Sequence, residues 1–228
     1  MSPLAAGPAA RMRAIMTHGF GESSDSWRYQ RTGLDAELEI VTWDLPGHGA
    51  RPIPDRPAWD IDVLTSELHA MVRASPSPPL LIGHSIGGYL SLRCALTSPV
   101  PLPGLVLIST GPGFRSTRRM TAWNQRIDHM TGRLQLPPRT GHSIYMKDSL
   151  VIDGLDTLTV PALVIMGTDD RPLYHEGCKY VADHVPNGRL LVVEDAHHSP
   201  HQTHPDEVNQ AISAFAQELN LAGRPLLH

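Results

Sequence analysis

Cysteine is almost missing from this chain of 228 residues, which carries only Cys94 and Cys178. Two thiols, each inside a stretch of helical character, exclude a disulfide-stapled fold and point to a reducing compartment. Aromatic residues make up only 5% of the chain, so a core has to rest on Leu, Ile, Val, Ala and Met. No apolar run approaches the ~20 residues that span a bilayer. Residues 1–10 are small and proline-containing, with neither a basic start nor a long apolar segment. The expectation is a soluble cytoplasmic protein with no membrane partner. A net charge of −4 supplies no general basic surface, and no nucleic-acid partner is expected. Repeats and low-complexity segments are also absent, and the proline-rich stretches 52–57 and 76–79 read as loops. Apolar residues, at 41%, suffice for a sizeable core, and the length fits one α/β domain over residues 1–228.

Strands and helices alternate along the chain, as a parallel sheet with right-handed crossovers requires. Strands are expected at 14–17, 39–43, 80–82, 104–108, 162–166 and 190–193, the last reading as a second buried strand. Before the third strand's turn, Ile61, Leu64, Leu68, Met71 and Val72 form an apolar stripe at helical spacing. Val208, Ile212, Phe215 and Leu219 form another, in a last helix opened by Pro205. The third strand runs directly into Gly83-His84-Ser85-Ile86-Gly87-Gly88. Strand, G-x-S-x-G turn and helix in this order make a nucleophile elbow, which presents a serine hydroxyl at the tip of a tight turn. Ser85 is the candidate nucleophile.

A serine at such a turn needs a base to take its proton and a third group to orient that base. In hydrolases with such an elbow the partners follow in the chain order serine, acid, histidine. Downstream of Ser85 an apolar strand ends in Gly167-Thr168-Asp169-Asp170, and a second ends in Glu194-Asp195-Ala196-His197-His198-Ser199-Pro200-His201. Carboxylates and histidines thus both fall at the C-terminal edge of a parallel sheet, where open α/β sheets place their sites. Two backbone N–H groups must hold the developing oxyanion. Ile86 supplies one, and Phe20 supplies the other from the curled segment His18-Gly19-Phe20-Gly21. A competing arrangement, His197, His201 and His204 as metal ligands on one helix face, is broken by Pro200 and Pro205 and has no accompanying H-E-x-x-H pattern. No metal and no cofactor are expected. His18, His48 and His84 read as turn and packing residues on the site floor.

These motifs, with Asp44-Leu45-Pro46-Gly47-His48-Gly49 and Pro205, resemble the α/β-hydrolase superfamily, in its branch of esterases, lipases and C–C bond hydrolases. The resemblance runs over nearly the whole chain. It implies the α/β-hydrolase fold, with a mostly parallel sheet flanked by helices. Its Gly-x-x-Asp turn selects Asp170 over Asp169 as the acid. Its His-x-Pro-His pattern selects His198 over His197 as the base, although relatives usually carry glycine at position 197. One part of the pattern is missing: relatives begin with one or two further strands before the first motif strand, so the N-terminal sheet edge is shortened. An open edge invites pairing, and a homodimer follows as one expectation.

The segment 111–156, between the strand at 104–108 and the carboxylate strand, occupies the place of a short cap over the site. Met120, Trp123, Ile127, Met130 and Leu134 form an apolar stripe that either packs on the body or lines an acyl pocket. Residues 111–150 carry Arg115, Arg118, Arg119, Arg126, Arg133, Arg139 and Lys147 against Asp128 and Asp148. That is a net +5 inside an acidic chain, either a solvated helix face or a field that steers an anionic or carrier-bound substrate. His18, Gly19, Trp123, Arg118 and Arg119 are therefore the candidate substrate-binding residues. The expected activity is hydrolysis of an ester or thioester through Ser85, His198 and Asp170. The alternatives are C–C cleavage of a carboxylated or β-diketone substrate by the same groups, or a non-catalytic binding protein on this fold.

Overall fold

A computed structural model describes residues 11–54 and 59–222. The reading of residues 1–10, and part of the loop at 52–57, lies outside them. In chain order the elements are β1 (Met12–Thr17), α1 (Arg28–Gly33), β2 (Leu38–Trp43), α2 (Ile61–Ala74), β3 (Leu80–His84), α3 (Ile86–Thr97), β4 (Leu105–Ile108) and α4 (Thr117–Arg133). They continue with α5 (Leu150–Gly154), β5 (Ala162–Gly167), α6 (Pro172–His184), β6 (Gly188–Val193), α7 (Pro200–Thr203) and α8 (Pro205–Ala222). Local chemistry sets the helix ends. Asp60 caps α2 by accepting from the N–H groups of Asp62 and Val63, and proline opens α6, α7 and α8.

All six strands run parallel in the order β2-β1-β3-β4-β5-β6. The strand pleat sends alternate side chains to opposite faces, and each face has its own core. Ile15, Leu81, Leu107 and Val164 meet α2, α3 and α6 on one side. Ala14, Met16, Ile82, Val106 and Ile165 meet Trp27, Leu34, Val208, Ile212 and Phe215 on the other. Cys94 in α3 and Cys178 in α6 are fully buried and unpaired. Among the described residues no helix is long and apolar enough to cross a membrane.

Two sequence expectations are corrected. The strand at β6 is not buried: it is the outer strand of the sheet, with Leu190 39% and Val192 36% exposed. An apolar run of this length reads the same whether its strand is central or at an edge. Gly104 also falls outside β4, and it packs against Phe215 and Leu219 instead. The cap stripe divides between its two readings. Met120 and Ile127 are buried against the body, while Trp123, Ile127 and Met130 reach the cleft described next.

The strand order reverses between β1 and β3. Connections leaving those two strands part to opposite sides, which opens a crevice at their C-terminal ends. The turn after β1 and the serine after β3 both stand there.

Candidate active site

Ser85 is held at φ 52°, ψ −113°, between the last residue of β3 and the first of α3. Its N–H donates to the Ile108 carbonyl at 2.8 Å, which pins the turn to the neighbouring strand. The turn is tight enough to exclude a side chain at Gly83, where a Cβ would lie 2.3 Å from backbone atoms of Gly87 and Gly88. The Ile86 N–H opens α3, so it belongs to the first turn, whose donors find no partner inside a helix. After β1, the Glu22 N–H donates to the Gly19 carbonyl at 3.2 Å. Gly21 takes φ +82° in that turn, a conformation open to glycine, and Phe20 stands at its apex beside Ser85.

The candidate base comes from the loop after β6. His198 Nε2 lies 3.2 Å from Ser85 Oγ, and His198 Nδ1 lies 2.7 Å from Asp170 Oδ2. Asp170 is buried in the turn after β5, and its other oxygen accepts from the Arg171 N–H at 2.7 Å. Burial lowers the pKa of His198 below its ordinary value; the carboxylate of Asp170 works in the opposite direction and only partly compensates. The imidazole therefore rests neutral near pH 7, with Nδ1–H donating to Asp170 and Nε2 free to accept from the hydroxyl. A hydroxyl, an imidazole and a carboxylate in this line can pass a proton from the serine to the ring and back.

The adjacent residues are placed differently. Asp169 and His197 are exposed, and the His197 ring reaches only the Asp169 backbone carbonyl, at 2.9 Å. The three histidines weighed as metal ligands do not converge, since His201 is fully buried, His197 is exposed and His204 Nδ1 lies 2.9 Å from Thr203 Oγ1. A different trio, Glu22, His84 and His201, brings ligand-type atoms within 4.8 Å of one another. Both His84 nitrogens already face oxygen acceptors, so the trio does not offer three free ligand atoms.

Two adjoining cavities flank Ser85. The first, about 320 Å³, is lined by Tyr89, Phe114, Arg119, Trp123, Met146 and Tyr180 among others. The second, about 260 Å³, holds Phe20, Glu22, Met130, Arg171 and His198. Ser85, Ile86, Trp123 and Tyr174 border both. Of the candidate binding residues, Trp123 and Arg119 reach this cleft. His18 does not. Its ring is fully buried, accepting from the Leu45 N–H at 2.9 Å and lying 2.8 Å from the Gly19 carbonyl, so it braces two loops. Arg118 is exposed and lines neither cavity, and Gly19 serves through its backbone. Two residues at the site were not singled out from the sequence. Tyr174 packs its ring 4.1 Å from that of His198, and Glu22 sits under the base. Tyr174 follows the Gly167–Asp170 turn by one helical turn, and Glu22 directly follows the motif His18–Gly21, so both stood next to recognised signals.

Parallel strands in this order, with a serine at a positive-φ turn between strand and helix and an acid and a histidine on later strand ends, define an α/β hydrolase. The chain belongs to the alpha/beta hydrolase family, which matches residues 14–211. It is 34% identical to the magnesium-chelatase 30 kDa subunit of Rhodobacter capsulatus over 127 residues, 55% of this chain and only 39% of that protein. It is 24% identical to a pimeloyl-[acyl-carrier protein] methyl ester esterase of Aromatoleum aromaticum, covering 85% of this chain and 93% of that one. A thermophilic esterase from Thermogutta terrifontis superposes with a TM-score of 0.77 at 22% identity, over 91% and 90% of the two chains.

Proposed function

We propose that this protein is a serine hydrolase that cleaves a carboxylic ester or thioester. The observation that carries the reading is the line Ser85–His198–Asp170, with its contacts of 3.2 and 2.7 Å. Ser85 Oγ attacks the carbonyl carbon while His198 Nε2 takes its proton. The tetrahedral oxyanion is held by the N–H groups of Phe20 and Ile86. As it collapses, the bond to the leaving group breaks and His198 returns the proton to that group. Water then enters by the same steps and releases the acid. Asp170 keeps the ring in the required tautomer and offsets its transient charge.

The two cavities orient the substrate. His198 borders only the second one, so the leaving group that it protonates belongs there. The acyl group then fills the first, against Trp123, Phe114 and Met146. Arg119 lines that acyl cavity and has no hydrogen bond or ion pair among the described residues, whereas Arg115 is engaged by Asp153 at 2.6 Å. Glu176 borders the same space and favours a binding point at Arg119 itself over a diffuse positive field. The preferred substrate is accordingly an acyl group with an anionic end, free or on a carrier. The Aromatoleum relative, named for an acyl-carrier-protein ester, is consistent with this choice.

A panel of p-nitrophenyl esters, acyl thioesters and β-diketones with product analysis tests the reaction, and C–C cleavage products would replace the ester reading. For the acyl end, Arg119→Gln is expected to lower kcat/KM for an ω-carboxy acyl ester about tenfold or more at low salt, the size of one charge-assisted hydrogen bond. The neutral isostere should change little. The wild-type preference should shrink as ionic strength rises, since exposed charges are screened beyond about 10 Å at 0.1 M salt. Equal salt dependence for both substrates would return Arg119 to the solvated helix face.

A further inference from the structure

Beneath the proposed base lies a second acid–histidine contact that hydrolysis itself does not use. His84 precedes Ser85 and is buried, its side chain 3% exposed. One ring nitrogen, Nδ1, is 2.9 Å from Glu22 Oε2, and the other, Nε2, is 2.8 Å from the backbone carbonyl of His198. A carbonyl oxygen can only accept, so Nε2 must carry a proton. The remaining question is which partner holds the proton between Nδ1 and Glu22. Three further donors surround that carboxyl group. Gly19 N–H (2.9 Å) addresses Oε2 beside His84, while Gln202 Nε2 (2.9 Å) and Ser199 Oγ (3.4 Å) address Oε1. Hydrogen bonds donated to a carboxyl group favour its ionised form. The geometry therefore favours placing the shared proton on His84, as an imidazolium facing an ionised Glu22.

We infer that Glu22, at the cavity wall, and the buried His84 form an ion pair that positions His198, joining the turn after β1, the end of β3 and the base-bearing loop through one carboxylate. The inference rests on the proposed role of His198 for its kinetic consequence, though not for the ion pair itself. The space is fully used: a Cβ at Gly19 would stand 2.5 Å from His84 Nδ1 and 3.1 Å from Glu22 Oε2. Burial opposes a charge on His84, and the adjacent carboxylate outweighs it, so the ring's pKa is raised. Burial likewise opposes the charge on Glu22, and the imidazolium overcomes it, holding the carboxyl well below the usual range.

The groups facing His84 from the packed elements are Glu22, His18 at the end of β1, Asp170 after β5, His198 after β6 and His201 in α7. His201 is fully buried with its ring 4.6 Å from that of His84, and neither of its nitrogens has a hydrogen-bond partner among the described residues. Burial and the neighbouring imidazolium keep it neutral. The charge on His84 also acts on His198, whose ring is 5.0 Å away, and after burial it is a further cause of that ring's lowered pKa. The pair thus fixes where the base stands and helps keep it unprotonated before catalysis.

Nitrogen-15 NMR of the wild-type histidine rings reads the pair without any variant. At pH 7 to 8, His84 should show two protonated ring nitrogens, and a neutral ring with a single N–H would overturn the inference. Kinetics read the positioning. In Glu22→Gln, His84 should lose its second proton, kcat on a p-nitrophenyl ester should fall roughly a hundredfold, as for a slightly misplaced catalytic group, and KM should barely move. The acid limb of the kcat/KM profile should shift to higher pH, because an uncharged His84 no longer opposes protonation of His198. Glu22→Asp keeps the charge, so it should leave that limb near its wild-type position while lowering kcat through its shorter reach. A fall that only tracks loss of folded protein, with no limb shift, would reduce the pair to a structural brace. Should Glu22→Gln stay fully active while Ser85→Ala is dead, the inference fails and the hydrolase reading stands. Should the wild type cleave no ester, the hydrolase reading fails and the NMR result alone decides the ion pair.

Discussion

Ser85→Ala is expected to lose about a millionfold in kcat, because a nucleophile and its base act as a unit and losing either costs nearly as much as losing both. The fold should survive. Alanine keeps the same Cβ at the same φ of 52°, and the only contact removed is the 3.2 Å approach to His198 Nε2. Stability by chemical denaturation should therefore stay within about 1 kcal/mol of wild type, the typical net worth of one hydrogen bond. A fluorophosphonate should label Ser85 and no other serine. Near-normal turnover in this variant would end the serine mechanism.

The second large effect separates neighbouring residues. Asp170→Asn should cost about ten-thousandfold in kcat, since asparagine at this place can force the wrong ring tautomer on the base. Asp169→Asn should be close to silent, because among the described residues its contacts run through the backbone, N–H to the Ala196 carbonyl and carbonyl to the His197 ring, and asparagine keeps both. His198→Ala should approach the Ser85→Ala loss. His197→Ala gives up one exposed contact and should retain most activity. Inactivity of His197→Ala with an active His198→Ala would mean that the base loop is placed one residue out of register.

How far the sequence carried follows from the range of each interaction. The elbow is built from six consecutive residues whose steric demands are local, and so Ser85 and its geometry could be read directly. The acid and base were placed by strand ends and by likeness to a family, and they meet as that spacing implies. Side chains whose meaning depends on distant partners were not legible. His84 looked like packing because its partner Glu22 is 62 positions away. His18 looked like a cleft residue because its motif borders the cleft, yet its ring turns inward to Leu45. The exposed face of β6 was hidden for the same reason, since an apolar strand does not state how many neighbours it will have. Arg118 and Arg119 are adjacent in sequence and both exposed, yet Arg119 borders the cavity and Arg118 does not, because one helical step of 100° turns a side chain away from the cavity wall.

The two buried thiols bear on how such variants can be compared. Burial pushes both Cys94 and Cys178 up to about 12, and the reactive species is the thiolate. Alkylating reagents therefore meet no usable cysteine while the two helices stay on the sheet. Modification has to wait for an opening event that exposes α3 or α6. With one thiol in each, on helices following the serine and the acid, the rate of alkylation clocks how often the scaffold behind the site comes apart. That clock runs without substrate, so it keeps ticking in a protein whose catalysis has been removed.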